Sequence, residues 1–170
     1  MQKEFSFNQK HINYIQKTFN NNFKFKLMLF KLLPMGFLSG MKIVELNEEK
    51  CSVSVPFKRL NQNPFKSTFW AVLGMAAEMS SGALMILYTH KQKPSISMLV
   101  ADCKGEFSKK ATDVTTFTCE NGYLIKEKIK TAIETQEPQT IPTTMVGKNK
   151  AGEIVATFSF TWTIKARKQG

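Results

Sequence analysis

Residues 63–88, NPFKSTFWAVLGMAAEMSSGALMILY, form the most apolar stretch of the chain. Glu78 lies in the middle of this stretch and is the only acidic residue between Glu49 and Asp102. The apolar run over 69–88, in which Glu78 is the only charged residue, predicts one long helix. A carboxylate inside such a helix is costly to bury without a partner, so the position of Glu78 needs an explanation.

Three explanations are open for Glu78: a membrane span, a carboxylate held by structural contacts, or an active site. A span requires about 20 apolar residues, but an acid at its centre costs about 2.5–3.5 kcal/mol. The neighbouring strands also need this helix to cover their apolar face. We therefore predict no transmembrane segment, and we expect a helix that is apolar on all sides to be buried.

Residues 23–38, FKFKLMLFKLLPMGFL, form a second apolar segment. Lys31 and Pro34 interrupt it and no small-residue cleavage site follows, which argues against a signal peptide or anchor. An apolar stripe at helical spacing predicts instead an amphipathic helix that lies on the domain, with a peripheral membrane helix as the alternative. The members of the stripe are Phe23, Leu27, Phe30 and Leu33.

Periodicity predicts the remaining elements. The predicted helices besides 69–89 are 7–19, 23–33 and 124–134, and the predicted strands are 40–46, 51–57, 96–107, 113–120, 140–147 and 154–164. The last strand is the clearest, because apolar and polar residues alternate along it. An antiparallel sheet with one apolar face needs a cover, and the central helix is the obvious one.

Composition restricts the class of protein. The 170 residues suffice for one domain, and 42% apolar and 22% charged residues are globular values. Cys51, Cys103 and Cys119 lack metal-binding spacing and lie in predicted strands, which favours reduced, packed thiols, no metal site and a cytoplasmic protein. The net charge of +11 fits either a solvated basic surface or an anionic partner. No nucleic-acid-binding motif accompanies it, so we predict no nucleic-acid partner.

Small residues surround Glu78 at helical spacing. Gly74, Ser81 and Gly82 lie three or four positions away, and a glycine inside a helix costs about 1 kcal/mol relative to alanine. Close approach of a second chain, a strand or a ligand would explain such glycines. Glu78 itself is either a structural residue, bonded to serines or to a lysine across an interface, or a general base or nucleophile beside an apolar cleft. We favour the second role.

The order of elements resembles the hotdog fold, in which a curved antiparallel sheet wraps around a long central helix. Residues 59–82, RLNQNPFKSTFWAVLGMAAEMSSG, resemble the thioesterase motif of that fold: an asparagine, a short loop, His-Gly-Gly and an apolar helix bearing an acid. Asn63 matches the asparagine, Phe69 the histidine, Trp70 and Ala71 the glycine pair, and Glu78 the acid. The segments LPMGFLSGMKIVEL and KNKAGEIVATFSFTWTIK are similar to an uncharacterised, thioesterase-like branch of hotdog proteins.

This resemblance implies an α+β hotdog fold in a single domain over 1–170, with a helical lead-in at 1–38 and the hotdog core at 39–166. It also implies a homodimer, or a dimer of dimers, in which each site combines Asn63 of one chain with Glu78 of the other.

The implied activity is hydrolysis of acyl-CoA thioesters, with Glu78 as base or nucleophile and backbone N–H groups of Trp70 or Ala71 stabilising negative charge. The expected substrate contacts are Phe69, Trp70, Ala71, Gly74, Ser81 and Gly82, and the expected contacts to the coenzyme A phosphates are Lys58, Arg59 and Lys66. Coenzyme A is then part of the substrate, and no further cofactor is expected.

The His-Gly-Gly of the motif is replaced here by Phe69, Trp70 and Ala71. Phe69 lacks the hydrogen-bonding group of histidine, and Trp70 is large where glycine lets a thioester approach the backbone. A non-catalytic protein that binds acyl-CoA or another hydrophobic ligand is therefore the alternative function. Ser67 or Thr68 is the expected N-cap of the central helix.

Overall fold

Antiparallel strand pairing organises the fold. The structure is a computed structural model and describes residues 5–167, so the predicted domain limits at 1 and 170 lie outside the described residues. The helices are α1 (Gln9–Phe19), α2 (Asn22–Leu32), α3 (Pro34–Ser39), α4 (Trp70–Thr89) and α5 (Gly122–Thr135). The strands are β1 (Lys42–Leu46), β2 (Cys51–Val55), β3 (Ile96–Phe107), β4 (Thr115–Cys119), β5 (Gln139–Lys148) and β6 (Ile154–Ala166).

All the predicted helices and strands are present, and their ends differ from the prediction by at most two residues. Helix α3 is absent from the prediction. It begins at Pro34, and proline suits the first helical position because its missing N–H would have no partner there.

The six strands form one antiparallel sheet in the order β1-β2-β4-β5-β6-β3, and α4 packs across it. Alternation places Phe158, Phe160 and Trp162 of β6 on the buried face, as predicted, whereas Ile154 at the start of the strand is exposed. By length and composition alone α4 could cross a membrane, but half of its most apolar window is buried, as in the core helix of a folded domain.

The two edges of the sheet differ. Strand β1 has 5 residues, and α1 and α2 pack near it. Strand β3 has 12 residues, is mostly exposed, and pairs only with β6 among the described residues. A long edge strand of this kind presents unpaired backbone N–H and C=O groups to a further strand.

Helix α2 lies on the domain, but with the opposite face from the one predicted. Phe25 and Leu29 are buried in the core, whereas Phe23, Leu27 and Phe30 of the predicted stripe are exposed. The prediction is wrong because both faces of α2 are apolar, and periodicity alone does not tell which face meets the core.

Candidate active site

Helix α4 is buried on most sides and open along one face. Leu73, Ala77 and Leu84 are among its buried residues. The open face is formed by Ala71, Met75, Glu78, Met79, Gly82 and Ile86, all partly or largely exposed. Their spacing of three and four places them on one side of the helix. The prediction that α4 is buried on all sides is therefore wrong.

Glu78 lies in a cleft of about 210 Å³ on this open face. The other lining residues are Leu33, Met75, Met79, Gly82, Ile86, Met98 and Trp162. The Glu78 carboxylate makes no hydrogen bond or ion pair with any residue from 5 to 167, and it remains partly exposed. Burial among apolar side chains raises the pKa of Glu78 above its usual value, because the charged form loses hydration there.

The serines beside Glu78 do not bind its carboxylate. The Ser81 hydroxyl donates to the Glu78 backbone carbonyl at 3.1 Å and accepts from Trp162 Nε1 at 3.1 Å. The Ser80 hydroxyl donates to the carbonyl of Ala77 at 2.7 Å. The structural alternative in which these serines stabilise the acid is therefore wrong, and Ser81 instead fixes the Trp162 ring that forms one wall of the cleft.

The two glycines near Glu78 have different surroundings. A Cβ atom on Gly74 would lie 3.2 Å from the Phe158 ring, so this glycine lets α4 approach the neighbouring strand β6 closely. A Cβ on Gly82 would lie 3.8 Å from Trp162, which is ordinary contact. Gly74 is therefore explained by packing, whereas Gly82 leaves space in the Glu78 cleft.

The N-terminus of α4 has no side-chain cap. The N-cap position is Phe69, whose N–H donates to the Asn61 carbonyl at 2.7 Å. Ser67 and Thr68 are not the caps predicted, because both side chains bind the backbone of Ala111 instead.

Asn61 also ties this loop to the rest of the domain, since its buried side-chain amide donates to the carbonyls of Ser39 and Pro56. Within the described residues, no acceptor is present for the N–H groups of Trp70 and Ala71. Free N–H groups at a helix N-terminus are suited to stabilising negative charge.

Asn63 lines a second cleft, of about 350 Å³, at the N-terminus of α4. Its Oδ1 accepts from the N–H groups of Phe65 at 3.0 Å and Ser67 at 3.2 Å, which holds the loop before the helix. The cleft is also lined by Trp70, which is 58% exposed, and by Phe107 at the end of β3.

The cations that line the Asn63 cleft differ from those predicted for phosphate binding. They are Lys109 and Lys110, which follow β3. Lys58 donates to the Leu38 carbonyl at 2.6 Å, and neither Lys58, Arg59 nor Lys66 lines this cleft or the Glu78 cleft. The density of lysine over 104–110 was the only sequence signal for Lys109 and Lys110, and it does not indicate where the loop lies.

Within one chain, the structure therefore brings Glu78 and Gly82 to one cleft and Asn63 and Trp70 to another. Strand β3 borders both clefts, with Met98 in the first and Phe107 in the second. These two residues are nine positions apart, or about 30 Å along an extended strand.

Comparison with known proteins identifies the family. Residues 23–164 match the model of DUF4442, a domain of unknown function. The chain belongs to the DUF4442 family. A comparison with curated proteins found no match.

Solved structures show the fold of this DUF4442 chain. A protein of unknown function from Pseudomonas aeruginosa, named a probable thioesterase, superposes with a TM-score of 0.73 at 16% identity, covering 88% of this chain and 99% of that one. The PaaI protein of the E. coli phenylacetic acid degradation operon gives a TM-score of 0.62 at 14% identity, covering 92% and 97%. A Haemophilus influenzae thioesterase gives 0.61 at 11% identity, covering 82% and 88%. The predicted hotdog fold is thus confirmed, with six antiparallel strands wrapped around α4.

Proposed function

We propose that this DUF4442 protein hydrolyses acyl thioesters, with acyl-CoA as the substrate class and Glu78 as the general base. One observation carries the proposal: the Glu78 carboxylate, which has a raised pKa and no bonding partner among residues 5–167, lines an apolar cleft. A carboxylate in this environment holds its proton more tightly than a solvated one, which suits a general base. The similarity to structures named thioesterases supports the same reaction class.

We further propose that the active form is a homodimer in which each site combines both clefts. The 12-residue edge of β3 can pair with β3 of a second copy. Antiparallel pairing about a two-fold axis near Asp102 and Cys103 would set Met98 of one chain beside Phe107 of the other. The Glu78 cleft of one chain would then face the Asn63 cleft of its neighbour.

In this arrangement each group has a role. The Glu78 carboxylate takes a proton from water as the water oxygen attacks the thioester carbonyl carbon. The free N–H groups of Trp70 and Ala71 stabilise the oxyanion of the tetrahedral intermediate. The C–S bond then breaks, and protonated Glu78 returns its proton to the departing thiolate. Asn63 positions the loop that leads into α4, where these N–H groups lie.

The remaining parts of the substrate contact neighbouring surfaces. The acyl chain contacts Met75, Met79 and Met98, whose flexible side chains adapt to apolar ligands. The coenzyme A phosphates bind Lys109 and Lys110, which line the Asn63 cleft, in place of the predicted Lys58, Arg59 and Lys66. We place the reaction in the cytoplasm, where the three free cysteines, including exposed Cys103, stay reduced.

A non-catalytic acyl-CoA or hydrophobic-ligand binder is the second candidate. The observation that favours it is the N-terminus of α4, where Phe69 offers no hydrogen-bonding side chain and the large Trp70 side chain lines the Asn63 cleft. In that case the free N–H groups would bind the thioester carbonyl without reaction.

Thiol release from acyl-CoAs of short, medium and long chain separates the two candidates. For the enzyme we expect turnover that Glu78→Gln lowers by about 10²- to 10⁴-fold in kcat while acyl-CoA binding persists. Glu137→Gln, an exposed glutamate on the loop after α5, is the matched control and should retain full activity. Binding without turnover in the wild type would establish the binder, and absence of both would refute the proposal.

A further inference from the structure

The exposed apolar surface of α2 and α3 is not used by the proposed site. We call it the α2–α3 patch; its principal members are Phe23, Leu27, Phe30, Leu32, Met35 and Phe37, which are 39–78% exposed. The rings of Phe30 and Phe37 are in edge contact, with centroids 5.4 Å apart, so the two helices present one continuous surface. A contiguous apolar surface of this kind is typical of an interaction site.

Lysines border the apolar stripe of α2 on both sides. With about 100° between successive residues, Phe23, Leu27 and Phe30 lie within about 60° of one another. Lys24 lies on one side of this stripe and Lys26 on the other, and both are exposed. An apolar stripe between lysines is the pattern of a helix that lies in a membrane interface.

The part of the chain that contains the patch carries charge of a single sign. From residue 5 to residue 44 the sequence contains six lysines and no acidic residue. A second copy of the chain docked here would bring like charges together, because a two-fold interface joins the same surface of both subunits. A surface that is apolar inside and negative at its edge is instead complementary, and a bilayer with anionic headgroups has this character.

A cavity adjoins the α2–α3 patch. A cavity of about 510 Å³ lies between α1 and α2, and its lining includes Leu27, Leu32, Lys24 and Lys31. Leu27 and Leu32 belong to the α2–α3 patch, so the patch is continuous with this mostly apolar cavity, which Lys24 and Lys31 also line.

We propose that the α2–α3 patch docks reversibly on the surface of an anionic lipid bilayer. Phe23, Leu27 and Phe30 insert at the boundary between headgroups and acyl chains, and the flanking lysines bind the headgroups. Helix α4 stays within the folded domain and does not insert. This proposal does not depend on the hydrolytic function.

Vesicle co-sedimentation tests the proposal. The full chain is mixed with vesicles of phosphatidylcholine alone, or with about 30 mol% phosphatidylserine, at about 0.1 M and about 0.5 M salt. We expect binding to the anionic vesicles at low salt, weaker binding at high salt, and little binding to the neutral ones. The double variant Phe23→Ser/Phe30→Ser should bind about tenfold or more weakly.

The control variant is Tyr123→Ser/Ile154→Ser, which removes two exposed side chains outside the patch and should bind as the wild type does. Thermal unfolding of each variant checks that the fold is intact. Failure to bind anionic vesicles, or equal binding by both double variants, would overturn the proposal. So would a mass measurement in which Phe23→Ser/Phe30→Ser separates a wild-type oligomer into monomers, because the patch would then be an interface between copies.

Discussion

The two sides of α4 contain similar residue types but have different surroundings. On one side, Ala77, Leu84 and Leu87 are completely buried against the sheet. On the other, Met75, Met79 and Ile86 remain partly exposed around Glu78. The first side therefore holds the fold together. A monomeric protein rarely leaves an apolar surface open, and the second side is the one where we propose that a second chain or a ligand binds.

Shortening one side chain on each side of α4 should give the largest contrast in stability. Leu84→Ala removes a fully buried side chain and should lower the free energy of unfolding by about 2–5 kcal/mol. Met79→Ala should cost less than half as much, because Met79 already lies at a cleft. Urea denaturation at one protein concentration measures both, and equal losses would show that the open side is as fully packed as the closed side.

A charged side chain on the edge strand β3 should test whether a second chain pairs there and covers the open side of α4. Met98→Asp places a carboxylate beside the Glu78 cleft and should convert a dimer, of twice 19.3 kDa, into a monomer. Val44→Asp puts the same charge on β1, the opposite edge, and should leave the dimer intact. Light scattering after size exclusion gives the mass. A wild-type monomer, or a dimer lost only in Val44→Asp, would contradict the proposed interface.

The pH dependence of stability should report the environment of Glu78. Because its pKa is raised in the folded state, the folded protein holds this proton more tightly than the unfolded chain does. Ionisation above the ordinary pKa of 4.5 therefore lowers the free energy of unfolding. We expect Glu78→Gln to be more stable than the wild type at pH 7 and equal to it below pH 4.5. A variant less stable than the wild type at pH 7 would mean that the carboxylate has a stabilising partner.

Replacing the two glycines of α4 by alanine should give the smallest difference in stability, between two variants that carry the same change in the same helix. Gly82→Ala should raise the free energy of unfolding by about 1 kcal/mol, since alanine favours the helix and its Cβ meets no close neighbour. Gly74→Ala should not raise the free energy of unfolding in this way, because its Cβ would lie 3.2 Å from the Phe158 ring and the ring would have to move. Thermal unfolding compares them. If Gly82→Ala is the less stable of the two, a second chain packs tightly at Gly82 and no ligand space remains there.

The strands and helices could be predicted from the sequence because their apolar residues recur with the period of a strand or of a helix. The alternation of β6 and the long, mostly apolar run of α4 are local signals, and both elements are present as predicted. The orientation of an element apolar on every side is not a local signal. For this reason the predicted burial of α4 on all sides and the predicted inward face of α2 were wrong.

The candidate site could be predicted only in part for a related reason. Glu78 stands out because it is the one acid in an apolar run. Lys109 and Lys110 do not, because their place beside Asn63 depends on how the loop after β3 packs on the loop before α4. Ser67 and Thr68 likewise have the residue types of helix caps, but Ala111 is their partner.

Mixing two variants that each lack one part of the site tests the central claim, that Glu78 of one chain and Asn63 of another complete a site. Asn63→Ala and Glu78→Gln chains, each purified with a different tag, are unfolded together, refolded, and assayed for thiol release from acyl-CoA. About half of the dimers formed at random are mixed, and each has one intact site, so we expect about a quarter of wild-type activity. No recovery, with mixed dimers verified by native mass spectrometry, would contradict the account.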